Sequence, residues 1–170
     1  MTSQSTAQHR CDSPKSVRCA VITVSDTRTL ETDRGGKLVA DLLMAGGHQL
    51  AGRHIVRDDP REIEPLVRKL ADPGNTDAIL ITGGTGIAER DQTFETISGL
   101  LTKAMPGYGE LFRMLSYDDI GPAAMLSRAV GGVMHKVVIL TMPGSTAAVQ
   151  LAMDKLIVPE IGHLVFEARK

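Results

Sequence analysis

The hydrophobic pattern along the chain predicts five short β-strands. Residues 18–26 and 77–82 contain nearly continuous apolar runs rich in β-branched side chains, which is typical of strands buried on both faces in a parallel sheet. Residues 49–59 predict a weaker strand. Residues 125–144 predict two further strands that form a hairpin, with the turn at the glycine pair in the middle of this segment.

The segments between these strands carry apolar residues at helical spacing. Helices are predicted over residues 36–47, 60–72, 93–105, 107–121 and 145–170, with an interruption of the last one at Pro159. Strands and helices that alternate in this order predict an α/β fold, with a mostly parallel sheet and helices on both of its faces.

The composition adds limits to this picture. The 170 residues suffice for one domain, which we expect at residues 17–170, and the polar residues 1–16 predict a disordered tail. A net charge of −1 and the absence of Trp indicate no nucleic-acid partner, and no apolar run approaches the length that would span a membrane. Cys11 and Cys19 show no pairing pattern and suit a reducing compartment, so we expect a cytoplasmic protein.

Glycines and polar residues follow the predicted strands. Because the carboxyl ends of parallel strands meet at one edge of an open α/β sheet, we expect these residues to form one site. They are Ser25, Asp26, Thr27 and Arg28 after the first strand, Asp58 and Asp59 after the second, residues 82–86 with Arg90 and Asp91 after the third, and Met142, Pro143, Gly144 and Ser145 after the last.

The loop after the third strand has the composition of an anion-binding loop. Backbone N–H groups of residues without a Cβ approach an anion closely, and a helix predicted to start near Thr93 directs its N-terminus nearby. The Walker lysine is missing, and Glu89 stands where a dinucleotide-binding pattern needs glycine. The alternative is a tight connection with Thr93 as N-cap, but Arg90 and Asp91 favour a functional loop. This glycine loop consists of Gly83, Gly84, Thr85 and Gly86.

Two aspartates near the glycine loop are candidate metal ligands. A carboxylate beside a phosphate site repels the ligand unless a cation lies between them, and Mg²⁺ is typically held by one or two carboxylates plus substrate phosphates. Asp91 and Asp58 therefore predict a magnesium site. The alternative for each is a helix cap, Asp91 for the helix near Thr93 and Asp58 for the helix near Pro60.

Other candidates also have two interpretations. Ser145 is either an anion ligand or the plain cap of the C-terminal helix. Arg128 either neutralises a ligand phosphate or is a solvated strand residue. Glu110 and Arg113 lie three residues apart on one helical face, for which a surface ion pair is the simplest interpretation.

Three segments together, residues 82–93, 106–133 and 142–146, resemble the MoaB/MogA family of molybdenum cofactor biosynthesis proteins, of the molybdopterin adenylyltransferase type. The resemblance rests on the motifs TGGTG with RD, PGYGE, LSR and MPGS at these distances. It implies a three-layer α/β/α fold with a mostly parallel central sheet and a β-hairpin in the C-terminal half. It also implies a homotrimer or homohexamer that transfers AMP from Mg-ATP to the terminal phosphate of molybdopterin and releases pyrophosphate.

The same resemblance assigns roles to residues of this chain. Asp58 and Asp91 match the functionally important aspartates, as catalytic groups and Mg²⁺ ligands, and the glycine loop matches the family's own loop. ATP and molybdopterin are the implied substrates, and other molybdenum cofactor biosynthesis proteins are the implied partners. The further candidates for substrate or nucleotide binding are Ser25, Asp26, Arg90, Thr93, Glu110, Ser127, Arg128, Pro143, Gly144 and Ser145, of which Ser127 and Arg128 match the pterin and phosphate side.

The chain departs from the family pattern at three positions. Gly35 stands in place of a serine, and Phe94 and Thr146 stand in place of prolines. The lost hydroxyl at Gly35 leaves open a non-catalytic carrier or scaffold that binds molybdopterin in the same pathway. A hydrolase acting on a nucleotide or pyrophosphate is a further alternative, which the TGGTG pattern disfavours.

Overall fold

A six-stranded sheet forms the centre of the structure. The computed structural model describes residues 13–170, so residues 1–12 of the predicted tail lie outside the described residues. The strand order is β2-β1-β3-β6-β5-β4, in which the first four strands are parallel and β5 runs antiparallel to β6 and to β4. The strands are β1 (Arg18–Val24), β2 (Gln49–Val56), β3 (Ala78–Thr82), β4 (Lys103–Ala104), β5 (Gly131–Met134) and β6 (Val137–Met142).

Helices cover both faces of this sheet. They are α1 (Arg34–Ala45), α2 (Pro60–Leu70), α3 (Thr93–Leu100), α4 (Pro106–Ile120), α5 (Thr146–Ala152) and α6 (Val158–Arg169), with a 3₁₀ turn at Gly121–Leu126. Side chains such as Ile63 and Ile97 pack α2 and α3 on one face, whereas Leu43, Phe112 and Ile161 pack α1, α4 and α6 on the other. Because both faces are covered, β1 and β3 are apolar without alternation. The expected three-layer α/β/α fold is confirmed.

The C-terminal hairpin is confirmed, but its turn is not at the glycine pair. The turn residues are His135 and Lys136, with φ of 49° and 69°. Gly131 and Gly132 lie inside β5 instead. A Cβ on Gly132 would overlap the carbonyl oxygen of Lys103, so this glycine permits the close approach of β4 rather than a turn.

The helix predicted over residues 93–105 is shorter in the structure. It ends at Leu100, and the Thr102 N–H then donates to the Val133 carbonyl at 2.9 Å. This bond leads into β4, which adds a two-residue edge strand to the hairpin. Helical periodicity gives no sign of β4, because so short a strand exists only through its pairing with a distant segment.

The C-terminal helical region is interrupted before Pro159 rather than at it. Residues Met153–Ile157 form a π-helical turn between α5 and α6. Proline has no N–H for the regular hydrogen-bond ladder, so it disturbs the turn that precedes it. Pro14, in the part of the predicted tail that the structure describes, packs against Gly162 of α6. Within residues 13–170, no helix is long and apolar enough to cross a membrane.

The contact of α4 with the chain before β5 requires glycine at position 109. A Cβ on Gly109 would overlap the carbonyl oxygen of Ala129, whereas a Cβ on Gly107 of the same helix would contact nothing within 4 Å. We expect Gly109→Ala to destabilise the fold by about 1–3 kcal/mol, because backbone must shift to relieve the overlap. Gly107→Ala is the matched control and should be neutral or slightly stabilising, since alanine is the better helix former. Urea unfolding measures both, and equal stabilities would contradict this account.

Candidate functional site

The carboxyl ends of β1, β2, β3 and β6 meet at one edge of the sheet, as the sequence predicts. Thr82 of β3 pairs with Thr23 of β1 and with Met142 of β6. The Ser25 N–H, just after β1, donates to the Val56 carbonyl of β2 at 2.8 Å. The loops after these four strands therefore lie side by side.

The glycine loop leaves β3 through a backbone conformation that favours glycine. Gly83 and Gly84 have φ of 103° and 64°. A Cβ on Gly83 would overlap the carbonyl oxygen of Val24 at the end of β1. A Cβ on Gly84 would overlap the Thr93 hydroxyl and lie 2.5 Å from Asp58 Oδ2. These two glycines bring the backbone directly against β1 and against the Asp58 carboxylate.

Three successive N–H groups of this loop are available to a ligand. Within residues 13–170, the N–H groups of Gly84, Thr85 and Gly86 donate to no other residue. The Gly83 N–H is used, since it donates to the Met142 carbonyl of β6 at 3.0 Å. Successive free N–H groups on a loop form a concave anion-binding surface.

Asp58 is held by backbone contacts and does not cap a helix. Its Oδ1 accepts the Gln92 N–H at 3.1 Å, and its own N–H donates to Asp26 Oδ1 at 3.4 Å. The cap of α2 is Asp59, which accepts the Arg61 N–H at 2.9 Å. The capping alternative for Asp58 is therefore wrong, and its Oδ2 faces the glycine loop.

Asp91 also turns its carboxylate to the glycine loop. Its Oδ2 accepts the Ala88 N–H at 3.0 Å and would lie 2.6 Å from a Cβ on Gly86. The residue before α3 is Gln92, and α3 has no side-chain cap. Neither Asp91 nor Thr93 therefore caps α3, contrary to the alternatives that the sequence left open.

Thr93 is completely buried and directs its hydroxyl toward Asp58. Its exposed fraction is 0%. A Cβ on Gly84 would come close to both this hydroxyl and Asp58 Oδ2, so the two groups lie side by side. The hydroxyl acts on that carboxylate as a hydrogen-bond donor, so Thr93 belongs to the surroundings of Asp58 rather than to an open ligand position.

The surroundings of Asp58 disfavour its charged form. Burial raises the pKa of the Asp58 carboxyl above its usual value, and the hydrogen bonds from the Gln92 N–H and the Thr93 hydroxyl act in the opposite direction. The negative charges of Asp91 and Asp26 raise this pKa further. A perturbed carboxyl group close to two others, at the ligand edge of an α/β sheet, is typical of a functional site.

The oxygen atoms at this place fit Mg²⁺. This ion prefers oxygen ligands and is usually held by one or two carboxylates together with phosphate oxygens and waters. No group of three His, Cys, Asp or Glu side chains that could hold a metal occurs in the described part of the chain. Asp58 and Asp91 would supply only two of the ligands of such an ion, so a bound substrate and water would have to supply the others.

A first cavity of about 370 Å³ opens between the loop after β1, the start of α1 and the loop after β6. Ser145 caps α5 through the Ala148 N–H at 3.2 Å, and the Pro143 carbonyl accepts the Thr82 hydroxyl at 3.1 Å. Two guanidinium groups and several hydroxyls make the cavity suitable for an anion. Its lining includes Ser25, Arg28, Arg34, Gly35, Gly83, Gly144, Ser145 and Thr146.

A hydrogen-bond network that anchors α1 beside this cavity was not predicted from the sequence. Asp33 is only 4% exposed, and its Oδ1 accepts the Gly36 N–H at 2.8 Å. Its Oδ2 accepts the Thr23 hydroxyl and Arg53 Nη2, both at 2.8 Å. An aspartate before a helical pattern is an N-cap signal that could have identified Asp33. Arg53 carries no such signal, because its partner is distant in the chain.

A second cavity of about 500 Å³ is lined by Arg128, Ser127 and Phe94. Arg128 is not a solvated strand residue, because its Nε donates to the Gly86 carbonyl at 2.7 Å. Ser127 Oγ is buried and has no hydrogen-bond partner among the described residues. Arg113 Nη1 donates to the Ser127 carbonyl at 3.4 Å rather than to Glu110, so the expected surface ion pair is wrong.

Two residues that the sequence predicts to bind substrate make none of the contacts described above. Arg90 and Glu110 are exposed, and neither forms an ion pair or a side-chain hydrogen bond with residues 13–170. Arg90 nonetheless precedes Asp91 in the chain and brings an unpaired positive charge to the glycine loop. Glu110 lies on the exposed side of α4 and lines neither cavity.

Known proteins show the same architecture. A family model described as a probable molybdopterin binding domain matches residues 20–163. A Bacillus subtilis (strain 168) protein named molybdenum cofactor biosynthesis protein B is 50% identical over 167 residues, which cover 98% of each chain.

Two crystal structures are similar over most of their length. One is of a molybdenum cofactor biosynthesis protein B, with 51% identity, a TM-score of 0.89 and coverage of 92% of this chain and 98% of the other. Another is of the tungsten cofactor synthesizing protein MoaB from Pyrococcus furiosus, with 34% identity, a TM-score of 0.80 and coverage of 92% and 99%. The fold, the motifs and these matches agree. The chain therefore belongs to the MoaB family of molybdenum cofactor biosynthesis proteins, which share a probable molybdopterin binding domain.

Proposed function

We propose that this protein transfers AMP from Mg-ATP to the terminal phosphate of molybdopterin and releases pyrophosphate. The observation that carries the proposal is the convergence of Asp58 and Asp91 on the glycine loop, where three N–H groups are free. Neither carboxylate has an ion-pair partner within residues 13–170. Two such groups close to each other and to an anion-binding surface require a cation between them and the ligand.

The reaction requires positioning and charge stabilisation rather than a covalent enzyme nucleophile. An oxygen of the molybdopterin phosphate attacks the α-phosphorus of ATP, the bond to the bridging oxygen breaks, and pyrophosphate leaves. Mg²⁺ held by Asp58 and Asp91 would neutralise charge at the α-phosphate and on pyrophosphate. The N–H groups of Gly84, Thr85 and Gly86 would hold the phosphate oxygens in place.

The two cavities suit the two parts of such a ligand pair. Arg28 and Arg34 bring positive charge to the first cavity, where the hydroxyls of Ser25 and Ser145 can contact phosphate oxygens. The second cavity is more apolar and includes the free Ser127 hydroxyl. We assign the ATP phosphates to the first cavity. We assign molybdopterin to the second cavity, because the family resemblance places Ser127 and Arg128 on the pterin and phosphate side.

Gly35 favours a second candidate function, a non-catalytic molybdopterin carrier or scaffold. It lines the first cavity, and a Cβ there would lie 3.4 Å from the Gly144 carbonyl and 3.9 Å from the Thr82 hydroxyl. A serine would therefore fit and would add a hydroxyl to the cavity wall, which this chain lacks. Calorimetric titration separates the candidates, because a carrier binds molybdopterin without binding Mg-ATP.

We also propose a cytoplasmic homotrimer or homohexamer that works with other molybdenum cofactor biosynthesis proteins. Six of the nine exposed large apolar side chains of the described residues lie between Leu111 and Leu126, and Glu110 and Asp118 flank them on α4. A groove of about 550 Å³ elsewhere has apolar walls and a basic rim. The apolar face of α4 on one copy can therefore pack into the groove of the next copy. A contact between two different surfaces repeats from copy to copy and can close a ring. The charged and titratable residues of the groove are Lys103, His135, Lys136, Lys170 and Glu167, of which Glu167 forms an ion pair with Lys170.

Turnover tests the proposed reaction. Wild-type protein with ATP, Mg²⁺ and molybdopterin should release pyrophosphate and form adenylated molybdopterin. Asp91→Asn should lower turnover at least about tenfold, or ~1.4 kcal/mol, because the metal loses a charged ligand. Asp41→Asn, at an exposed position on α1, is the control and should keep the wild-type rate. Absence of wild-type turnover, where an active relative works, would exclude the reaction, and unchanged kinetics of Asp91→Asn would remove Asp91 from it.

Asp58 should lower the stability of the fold as its carboxyl ionises. Its folded pKa lies above the ordinary value of 3.8, so the folded state binds this proton more tightly than the unfolded chain. The stabilisation from that proton is complete below the ordinary pKa and is lost as the pH rises through the folded pKa. Asp58→Asn should therefore raise the Tm at pH 7, and the gain should disappear near pH 3.

Thermal unfolding at both pH values measures this difference, with Asp72→Asn, at an exposed carboxylate that forms no ion pair within residues 13–170, as the control for a generic loss of negative charge. Asparagine keeps an oxygen that can accept the Gln92 N–H, so the substitution removes mainly the charge. Mg²⁺ should raise the Tm of the wild type more than that of Asp58→Asn. A lower Tm of Asp58→Asn at pH 7 would show that its charge stabilises the fold.

The mass of the assembly in solution tests the proposed contact. Met114→Lys puts a positive charge in the apolar face of α4, opposite a basic groove, so it should shift the protein from the oligomer to the monomer. Met44→Lys, at a methionine of similar exposure on α1, should leave the mass unchanged. Light scattering after size-exclusion chromatography measures both. An oligomer that survives Met114→Lys would place the interface elsewhere.

A further inference from the structure

Arg128 ties the glycine loop to the rest of the fold. Its backbone N–H donates to the Thr85 carbonyl at 3.1 Å, and its Nε donates to the Gly86 carbonyl at 2.7 Å. Its Nη2 donates to the Asp91 carbonyl at 2.9 Å. One residue thus holds both ends of the segment that runs from the glycines to Asp91.

This segment has few other attachments. The Ala88 N–H bonds to Asp91 and the Glu89 carbonyl accepts Gln92 Nε2, but both bonds stay within the connection between β3 and α3. Within residues 13–170, Arg128 is the one residue distant in the chain that makes hydrogen bonds to residues 86–91. The position of the Asp91 carboxylate therefore depends on Arg128 more than on any other distant side chain.

Two residues at the start of α3 hold Arg128 in turn. Its Nη1 forms an ion pair with Glu95, and the ring of Phe94 lies under the guanidinium at 5.2 Å from the ring centroid. The planar guanidinium can make these contacts at once, because its donors point in fixed directions in one plane. Phe94 thus stacks on Arg128 at the position where the family pattern has a proline.

The ion pair also bears on the charge of Arg128. Glu95 neutralises the guanidinium locally, which weakens its attraction for a ligand anion. Arg28 and Arg34 of the first cavity, in contrast, form no ion pair with a carboxylate of residues 13–170, so their full charge is open to a ligand anion. The contacts of Arg128 suit a support for the loop better than a phosphate ligand.

We propose that Arg128, Phe94 and Glu95 form a latch that holds residues 85–91 in the shape that presents the Asp91 carboxylate to the metal and substrate. Arg128 is then a positioning residue, which acts through Asp91 and not through contact with phosphate. Since Asp91 acts on a metal only in the proposed function, this role of Arg128 rests on that proposal.

Substitutions of the latch separate this role from direct anion binding. In Arg128→Lys the planar fork is lost, so amide hydrogen exchange of residues 85–91 should become faster and Mn²⁺, used as the metal probe, should bind about tenfold more weakly. Glu95→Gln should change both quantities in the same direction, by a smaller factor. If Arg128 instead bound phosphate, Glu95→Gln would release a cation and tighten pyrophosphate binding.

The experiment uses the full chain, with Arg68→Lys and Glu64→Gln as matched controls. These residues form a comparable Arg–Glu ion pair on α2, away from the glycine loop, so neither variant should change exchange of residues 85–91. Circular dichroism confirms the fold of each variant, and Glu95→Gln keeps the test decisive if Arg128→Lys unfolds. Tighter pyrophosphate binding by Glu95→Gln, with unchanged exchange of residues 85–91, would overturn the latch.

The latch and the proposed reaction can fail separately. Faster exchange and weaker Mn²⁺ binding in the latch variants support the latch even if the wild type shows no adenylyl transfer. A wild type that binds no Mn²⁺ would count against the proposed metal site, and the exchange measurement would still decide the latch. Unchanged exchange in both Arg128→Lys and Glu95→Gln would overturn the latch even if adenylyl transfer is found.

Discussion

The close passage of the backbone at Gly83 and Gly84 is the constraint on which the site depends. Both residues have positive φ, and neither has room for a Cβ, because the Val24 carbonyl faces one and Asp58 with Thr93 faces the other. The loop can therefore leave β3 close to the end of β1 and still direct free N–H groups outwards. A side chain at either position would push the loop away from Asp58 and separate the anion-binding surface from its carboxylates.

The arrangement around this loop favours function over stability. Asp26, Asp58 and Asp91 gather negative charge at one sheet edge, and burial further raises the pKa of Asp58. Thr93 contributes a buried hydroxyl that lies beside the Asp58 carboxylate. Such local conflicts are expected at functional sites, where a ligand completes interactions that the protein leaves open. Arg128 instead stabilises the loop, because its hydrogen bonds to the loop are made within the fold and need no ligand.

The positions at which this chain departs from its family pattern have different structural consequences. Phe94 stands in place of a proline, and its ring stacks on Arg128. This contact restrains the start of α3, where the proline would restrain it through its fixed backbone angle. Gly35 stands in place of a serine at the wall of the first cavity, where a Cβ would make only ordinary contacts. The first departure is compensated by a new contact, whereas the second removes a possible ligand contact without replacement.

The sequence by itself determined the layered fold, the approximate starts of most helices and strands, and the group of loops at one sheet edge. These features follow from local periodicity and from the rule that parallel strands end together. Only the tertiary structure decided that Asp59 and not Asp58 caps α2, that Gly131 and Gly132 lie within a strand, and that Lys103–Ala104 form β4. It also decided that Arg128 reaches the glycine loop. The physical reason is that each of these outcomes depends on which distant backbone or side chain lies within hydrogen-bond distance, and hydrophobic periodicity carries no record of such contacts.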